Sequence, residues 1–129
     1  MNDIPLTDTM SLPTAISRYG RLGGQEPAWT PHPKLPGVRL CRLVDGADSG
    51  GALATLLVSL DAGAAMAPHC HEHETEQHIV LEGEGVLQLD GRTLPYRPGQ
   101  LAIVARGHEH SVVAGSAGLV LLAIFSPAP

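Results

Sequence analysis

The sequence predicts an all-β fold, a barrel of the jelly-roll type with about eight or nine short strands. Fifteen glycines and eleven prolines in 129 residues indicate frequent turns. Short apolar runs separate these turns, and this pattern favours strands over helices. The chain is 43% hydrophobic but only 3% aromatic, so we expect one domain with an aliphatic core.

Residues 1–36 are interpreted as an N-terminal arm, and residues 37–129 as the barrel over which it lies. Six prolines interrupt any long regular element in the arm, where we expect at most one helical turn, over residues 14–19. Trp29 is the expected anchor of the arm, because a large ring is costly to leave in water. A partly disordered tail is the alternative interpretation.

Alternating or continuous apolar runs predict the strands of the barrel, which we place at residues 38–44, 52–60, 79–81, 85–89, 92–96, 101–104, 110–113 and 119–125. The run at 52–60 is long enough for a helix, but its glycine-rich flanks favour a strand. Asp90-Gly91 is the strongest hairpin signal and predicts a type I′ turn. A second turn is predicted over residues 115–118. Tyr96 and Arg97 either line the mouth of the barrel or simply end their strand, and we favour the second interpretation.

Charge and composition exclude several classes of partner. The net charge is −5 without a basic cluster, so nucleic acid and anionic membranes are not expected partners. No apolar run reaches the roughly 18 residues of a membrane span. The N-terminus lacks the features of a secretory signal, so we expect a cytoplasmic protein in which Cys41 and Cys70 are free thiols.

Residues 63–83 carry the densest chemistry of the chain. His69 and His71 lie two apart, so on a strand both side chains leave the same face, with Cα atoms roughly 6.5 Å apart. Glu76 returns to the same place if the chain turns at residues 73–75 and a new strand begins. Gly83 is interpreted as a turn glycine with a positive φ.

This segment resembles the first motif of the cupin superfamily at each of its fixed positions, which are occupied by Gly63, His69, His71, Glu76 and Gly83. The second cupin motif is matched by Gly99, Gly107 and His110. Ala105 stands where that motif has proline and Ala114 where it has asparagine, but the ligand histidine is present. The chain resembles a small bacterial-type, single-domain cupin of the RmlC-like superfamily. The resemblance implies a double-stranded β-helix barrel and a homodimer in which the arm packs on the second subunit.

The candidate metal ligands are His69, His71, Glu76 and His110. Three imidazoles and one carboxylate suit a single divalent ion, and Mn, Fe, Ni, Co, Cu and Zn are not distinguished by this set. A six-coordinate ion would leave two positions for water or substrate. The alternative is a metal-free barrel whose histidines are satisfied by hydrogen bonds.

The remaining polar residues of the two motifs have several possible roles. His78 shares strand parity with Glu76, so it should point into the barrel as a proton carrier, a partner of a ligand or a buried structural histidine. His108, near the expected mouth, either meets substrate or faces solvent, and His78 and His108 are our catalytic candidates. His73 is expected to face solvent. Cys70 lies between two inward ligands, so we expect it in the core between the sheets.

The resemblance implies metal-dependent catalysis on a small polar molecule, as an oxygenase, an isomerase, or a lyase on sugar acids or amino-acid derivatives. In that case His78 or His108 would move protons. The alternatives are a non-catalytic cupin that binds a small ligand or metal, and a metal scavenger with readily exchangeable metal. An open coordination site beside a reachable pocket would favour the enzyme.

Overall fold

The computed structural model describes residues 28–129, which form one eight-stranded antiparallel sheet folded into a barrel. The strands are β1 Trp29–Pro31, β2 Val38–Val44, β3 Ala54–Leu60, β4 Ala65–His69, β5 Thr75–Leu89, β6 Arg92–Tyr96, β7 Leu101–Val104 and β8 His110–Ser126. Their order is β1-β2-β3-β8-β5-β6, with β4 also paired to β8 and β7 to β5. The prediction of an all-β fold is confirmed. A helix able to cross a membrane is absent from this part of the chain.

Strands β5 and β8 connect the two halves of the barrel. They pair with each other from Thr75 opposite Ser126 to Leu89 opposite His110, with register shifts on either side of Gly83. The beginning of β8 also pairs with β4, and its end also pairs with β3. Because such irregularities bend a strand, two long strands can line both halves of the barrel.

The prediction of a turn over residues 115–118 is wrong, because β8 continues from His110 to Ser126. Gly118 has a φ of 74°, but pairing with β5 continues at Leu119, which lies opposite Gly83. Gly83 has a φ of 80° as predicted, yet it lies within β5 rather than in a turn. In this barrel the two glycines bend long strands and do not end them.

The Asp90-Gly91 hairpin is confirmed. Asp90 and Gly91 have φ values of 51° and 73°, as both central residues of a type I′ turn require. This turn pairs β6 with the second half of β5 and places Tyr96 opposite Gly85. Tyr96 then shares the inward face of β6 with Leu94 and is 2% exposed.

Alternation along β5 places polar groups inside an otherwise apolar core. Glu76, His78 and Val80 share one face of the strand, and all three are buried. The surrounding core consists of aliphatic side chains from β2, β3, β5 and β8, among them Val38, Leu60, Leu87, Val112, Leu119 and Leu121. Glu76 and His78 are therefore held in place by the same packing that stabilises the barrel.

Trp29 lies in β1 opposite Cys41 of β2 and packs against a small cluster formed by Cys41 and Leu57. β1 belongs to the stretch predicted as the arm, and this packing joins that part of the stretch to the sheet. Residues 1–27, with the helical turn predicted over residues 14–19, lie outside the described residues. The division into an arm and a barrel stays a prediction.

Candidate metal centre

Four side chains bring their ligand atoms together at one point inside the barrel. The ligand atoms of His69, His71, Glu76 and His110 all lie within 4.8 Å of one another. His69 ends β4 and pairs opposite His110, the first residue of β8, while Glu76 is the second residue of β5. His71 lies beyond the end of β4, so the expectation that it shares a strand with His69 is wrong. Its ring centroid is nevertheless 5.1 Å from that of His69.

Backbone carbonyls orient two of the three imidazoles. The Nδ1–H of His69 donates to the carbonyl of Ala67 at 2.7 Å, and the Nδ1–H of His110 donates to the carbonyl of His108 at 3.1 Å. A carbonyl can only accept, so in the neutral ring the lone pair is on Nε2. This is the arrangement that a metal-binding histidine needs, with one nitrogen held by the protein and the other presented to the ion.

Glu76 is the centre of the polar network. Its Oε1 lies 3.1 Å from His110 Nε2 and 3.4 Å from His71 Nε2, and its Oε2 lies 2.9 Å from His78 Nε2. Burial raises the pKa of this carboxyl, but the contacts from His110, His71 and His78 outweigh burial and hold the pKa far below its usual range. Glu76 is therefore an ionised carboxylate inside the core, the state in which it can bind a cation.

The surroundings of His71 test whether the residues fit a metal ion. His71 Nε2 is buried and has no hydrogen-bond partner among the described residues, since 3.4 Å to Glu76 Oε1 is too long for a good hydrogen bond. Buried polar nitrogens are rarely left without a partner. A divalent ion between the carboxylate and the three Nε2 atoms would supply that partner, so the donor set fits a mononuclear metal site.

The protonation of the histidines agrees with such a site. Burial lowers the pKa of His69, and the nearby His110 and His71 lower it further, so His69 presents a neutral ring. Burial also acts to lower the pKa of His110, but its hydrogen bonds to Glu76 and to the His108 carbonyl raise it overall. The raised pKa favours the protonated ring beside Glu76, and an arriving metal ion would take the place of this proton.

His78 and Tyr96 hold the second carboxylate oxygen of Glu76, Oε2, in position. The hydroxyl of Tyr96 donates to His78 Nδ1 at 2.8 Å, and His78 Nε2–H donates to Glu76 Oε2. Burial and the charge of Glu76 raise the pKa of Tyr96, so its hydroxyl stays protonated and remains a donor. This role of Tyr96 was not predicted from the sequence. The type I′ hairpin was the available signal, because its register pairs Leu87 with Leu94 and puts Tyr96 on the same inward face.

Replacing Tyr96 by phenylalanine is expected to weaken metal binding roughly tenfold, the lower end of the loss seen when an outer partner of a ligand is removed. The change leaves His78 Nδ1 buried without its donor, so the free energy of unfolding should also fall by about 1–2 kcal/mol. Competition with a chelating dye and urea unfolding measure the two effects. Wild-type values in both experiments would show that the hydroxyl does not position Glu76.

The other predicted residues lie outside the ligand cluster. His108 Nδ1 lies 2.9 Å from Asp90 Oδ2, both side chains are about half exposed, and the His108 carbonyl orients His110. His73 is exposed, as predicted. The prediction that Cys70 lies in the core is wrong: Cys70 is exposed, because β4 ends one residue earlier and the strand alternation does not extend to it. Cys41 and Cys70 are both free, as expected.

A cavity of about 360 Å³ opens beside the cluster, and His69, His71 and Glu76 form part of its wall. Phe125, near the end of β8, also lines it and contacts the ring of His71 edge-on at a centroid distance of 5.1 Å. Its volume lies within the usual range of small-molecule sites. The ligand cluster is therefore open on one side, as a site that receives a small molecule must be.

Comparison with known proteins identifies a curated relative that matches part of the chain. The oxalate-binding protein of Thermotoga maritima is 32% identical over 68 residues, which cover 52% of this chain and 56% of that protein. The chain thus spans about half the length of the curated relative that it matches.

Solved structures with the same fold cover more of the chain. KdgF from a Halomonas species matches with a TM-score of 0.70 and 24% identity, covering 79% of this chain and 87% of that one. An RmlC-like cupin from Shewanella frigidimarina matches with a TM-score of 0.70 and 23% identity, covering 85% and 91%. A Thermotoga maritima protein described as a predicted oxalate decarboxylase matches with a TM-score of 0.67 and 25% identity, covering 78% and 91%.

These similarities confirm the jelly-roll barrel. The model of the cupin domain family matches residues 56–125, more than half of the chain and a range that contains all four candidate ligands. The chain therefore belongs to the cupin family, as a small cupin domain.

Proposed function

We propose that this chain is a mononuclear, divalent-metal-dependent cupin enzyme that acts on a small molecule. The observation that carries the proposal is the position of the ligand cluster at the wall of a cavity, with His69, His71 and Glu76 facing the space that a substrate would fill. A structural four-coordinate site is closed by its protein ligands, whereas a six-coordinate ion held by these four side chains would keep two positions for water or substrate.

His69, His71, Glu76 and His110 would hold the ion, and the set suits Mn, Fe, Ni, Co, Cu or Zn. A bound ion would polarise an oxygen of the substrate and stabilise negative charge that develops there. The protein's own contribution is to keep Glu76 ionised, to present the Nε2 atoms of His69 and His110, and to exclude water with the apolar wall of the cavity.

The catalytic roles of His78 and His108 stay predictions. His78 contacts Glu76 and Tyr96, so in this proposal its Nε2–H holds the carboxylate in position and helps to keep it ionised. His108 is paired with Asp90 and is not among the described residues that line the cavity, so its contact with a substrate stays a prediction.

Reversible binding without turnover is the second candidate function. It is supported by the relative from Thermotoga maritima, which is named as an oxalate-binding protein. The reaction type (oxygenase, isomerase or lyase), a homodimeric state, a bacterial source, a cytoplasmic location and the lack of nucleic-acid or membrane partners remain predictions under either function.

Reconstitution separates the two functions. The tag-free protein is stripped with a chelator, reloaded with one divalent ion at a time and incubated with a panel of small organic acids, in air and without oxygen. Products that form only with a reloaded ion, and not with the Glu76→Ala variant, support an enzyme. Ligand binding without any product across the whole panel of ions would favour the binding protein.

A further inference from the structure

The cavity beside the ligand cluster is mostly apolar. Apart from the cluster, its wall is made largely by Leu40, Leu56, Val58, Met66 and Phe125, which come from β2, β3, β4 and β8. Among the described residues that line the cavity, a single side chain is a carboxylate: Glu76, which belongs to the ligand cluster. A ligand covered with hydroxyl groups would lose its hydration here without gaining partners. The wall therefore favours a ligand with a hydrocarbon body.

Outside the ligand cluster, the cavity has polar side chains from the loop between β1 and β2, where His32 and Lys34 form part of its wall. The backbone N–H groups of Lys34 and Leu35 donate to His32 Nδ1 at 3.0 and 3.1 Å. Since Nδ1 accepts both bonds, the proton of the ring is on Nε2, which remains as a donor. The loop is itself fixed to the barrel, because His32 N donates to the carbonyl of Val38 at 2.8 Å.

Together, the His32 Nε2–H and the Lys34 ammonium offer a neutral donor and a positive charge that suit a carboxylate. The cavity thus has polar groups of two kinds, the metal-ligand cluster and the His32–Lys34 loop, and an apolar wall besides. No role was predicted for His32 from the sequence, because it lies outside both cupin motifs, and only the folded loop brings it to the cavity.

We propose that the cavity selects small monocarboxylic acids with an apolar body, with the carboxylate held by His32 and Lys34 and the hydrocarbon part against the wall that includes Met66 and Phe125. This deepens the proposed function and rests on it for the role of the metal ion. It narrows the substrate class to aromatic or branched aliphatic acids, and it disfavours sugar acids and small dicarboxylates such as oxalate.

The test is calorimetric titration of phenylacetate, its neutral analogue phenylacetamide, oxalate and galacturonate into the tag-free protein, once metal-loaded and once stripped with a chelator. We expect phenylacetate to bind at least tenfold more tightly than galacturonate or oxalate to the stripped form, in which no metal ion is present for these two acids to chelate. We also expect it to bind more tightly than phenylacetamide, because only the acid can use the charge of Lys34.

Two variants assign the parts of the site. Met66→Gln should weaken phenylacetate binding roughly tenfold, since it places an amide in the apolar wall. Met66→Leu keeps the wall apolar and should bind phenylacetate as wild type does. Lys34→Gln should reduce the preference for the acid over the amide roughly fivefold. Ile103→Gln and Arg92→Gln are the matched controls, because both residues are exposed and lie outside the cavity wall, and they should bind as wild type.

Equal or tighter binding of oxalate or galacturonate by the stripped protein, no binding of phenylacetate, or wild-type behaviour of Lys34→Gln and Met66→Gln would overturn the inference. The failure of the proposed function looks different: the protein would take up no divalent ion, yet phenylacetate would still bind with the dependence on Lys34 and Met66. That outcome would support the assignment of the cavity while removing the metal-dependent enzyme.

Discussion

Replacing Glu76 by alanine is expected to remove metal binding and to lower the free energy of unfolding of the metal-free protein by about 3 kcal/mol. The carboxylate is 3% exposed and contacts His71, His78 and His110, so its loss leaves buried polar nitrogens without an acceptor. Its removal should reduce metal affinity by more than the roughly 100-fold that loss of an outer partner can cost. Urea unfolding after chelation and a dye-competition titration measure the two effects.

The effect on stability should depend on pH. The pKa of Glu76 is lowered in the folded protein, so the stabilisation is present above the usual carboxyl pKa of about 4.3 and is lost as the pH falls. The pKa of His110 is raised, so its share is present below about 6.5 and is lost as the pH rises through the raised value. The difference between wild type and Glu76→Ala should therefore be largest near pH 5.5.

Glu72→Ala is the matched control for this prediction, because Glu72 is an exposed carboxylate in the same region of the chain. It should unfold and bind metal as wild type does. If Glu76→Ala kept its affinity for every divalent ion, the cluster would not be the metal site. If it were as stable as wild type at pH 5.5, the network around Glu76 would not contribute to the fold.

Replacing Gly83 by alanine is expected to destabilise the barrel by about 3 kcal/mol or more. Gly83 has a φ of 80°, and a Cβ atom at this position would overlap the backbone carbonyl of Gly118 on β8. The overlap involves backbone on both strands, so no side chain can move to relieve it. Because β5 carries both Glu76 and His78, the displaced strand should also weaken metal binding.

Gly63→Ala separates the overlap from the backbone strain. Gly63 has a similar φ of 73°, but a Cβ atom there would meet nothing within 4 Å. Its substitution should cost only the left-handed conformation, about 1–2 kcal/mol. Thermal and urea unfolding of the two variants give the comparison, and equal losses at both positions would contradict the close approach of β5 and β8 at Gly83.

Features that depend on short stretches of sequence could be predicted. The bounds of β2, β6 and β7 agree with the predicted strands, because short apolar runs there end at clear turn signals. The Asp90-Gly91 turn was predicted from two residues, since only residues that tolerate a positive φ fit a type I′ turn. The spacing of the two motifs likewise predicted which four side chains come together.

Features that depend on pairing between distant strands were predicted wrongly or overlooked. Gly115 and Gly118 have the composition of a turn, yet β8 passes through them because its pairing with β5 continues. Cys70 was assigned to the core by alternation, but alternation holds only within a strand, and β4 ends at His69. The neighbouring residues did not indicate where β4 and β8 end, because these ends depend on pairing with distant strands.

The contents of the cavity could not be predicted for the same reason. Its wall is contributed by five strands and two loops, which only the register of the sheet brings together. A polar substrate was the expectation from the resemblance, whereas Met66 and Phe125 form an apolar wall. The role inferred for His32 depends on two backbone hydrogen bonds within its own loop, which composition does not reveal.

The central claim is that His69, His71, Glu76 and His110 bind one divalent metal ion. Elemental mass spectrometry of the tag-free protein, beside His71→Ala and His73→Ala, tests it most directly. The two histidines lie two residues apart, but only His71 belongs to the cluster, while His73 is exposed. We predict one ion per chain in wild type and His73→Ala, and none in His71→Ala. A wild-type protein that takes up no ion after soaking with divalent metals, or equal metal content in all three proteins, would contradict the claim.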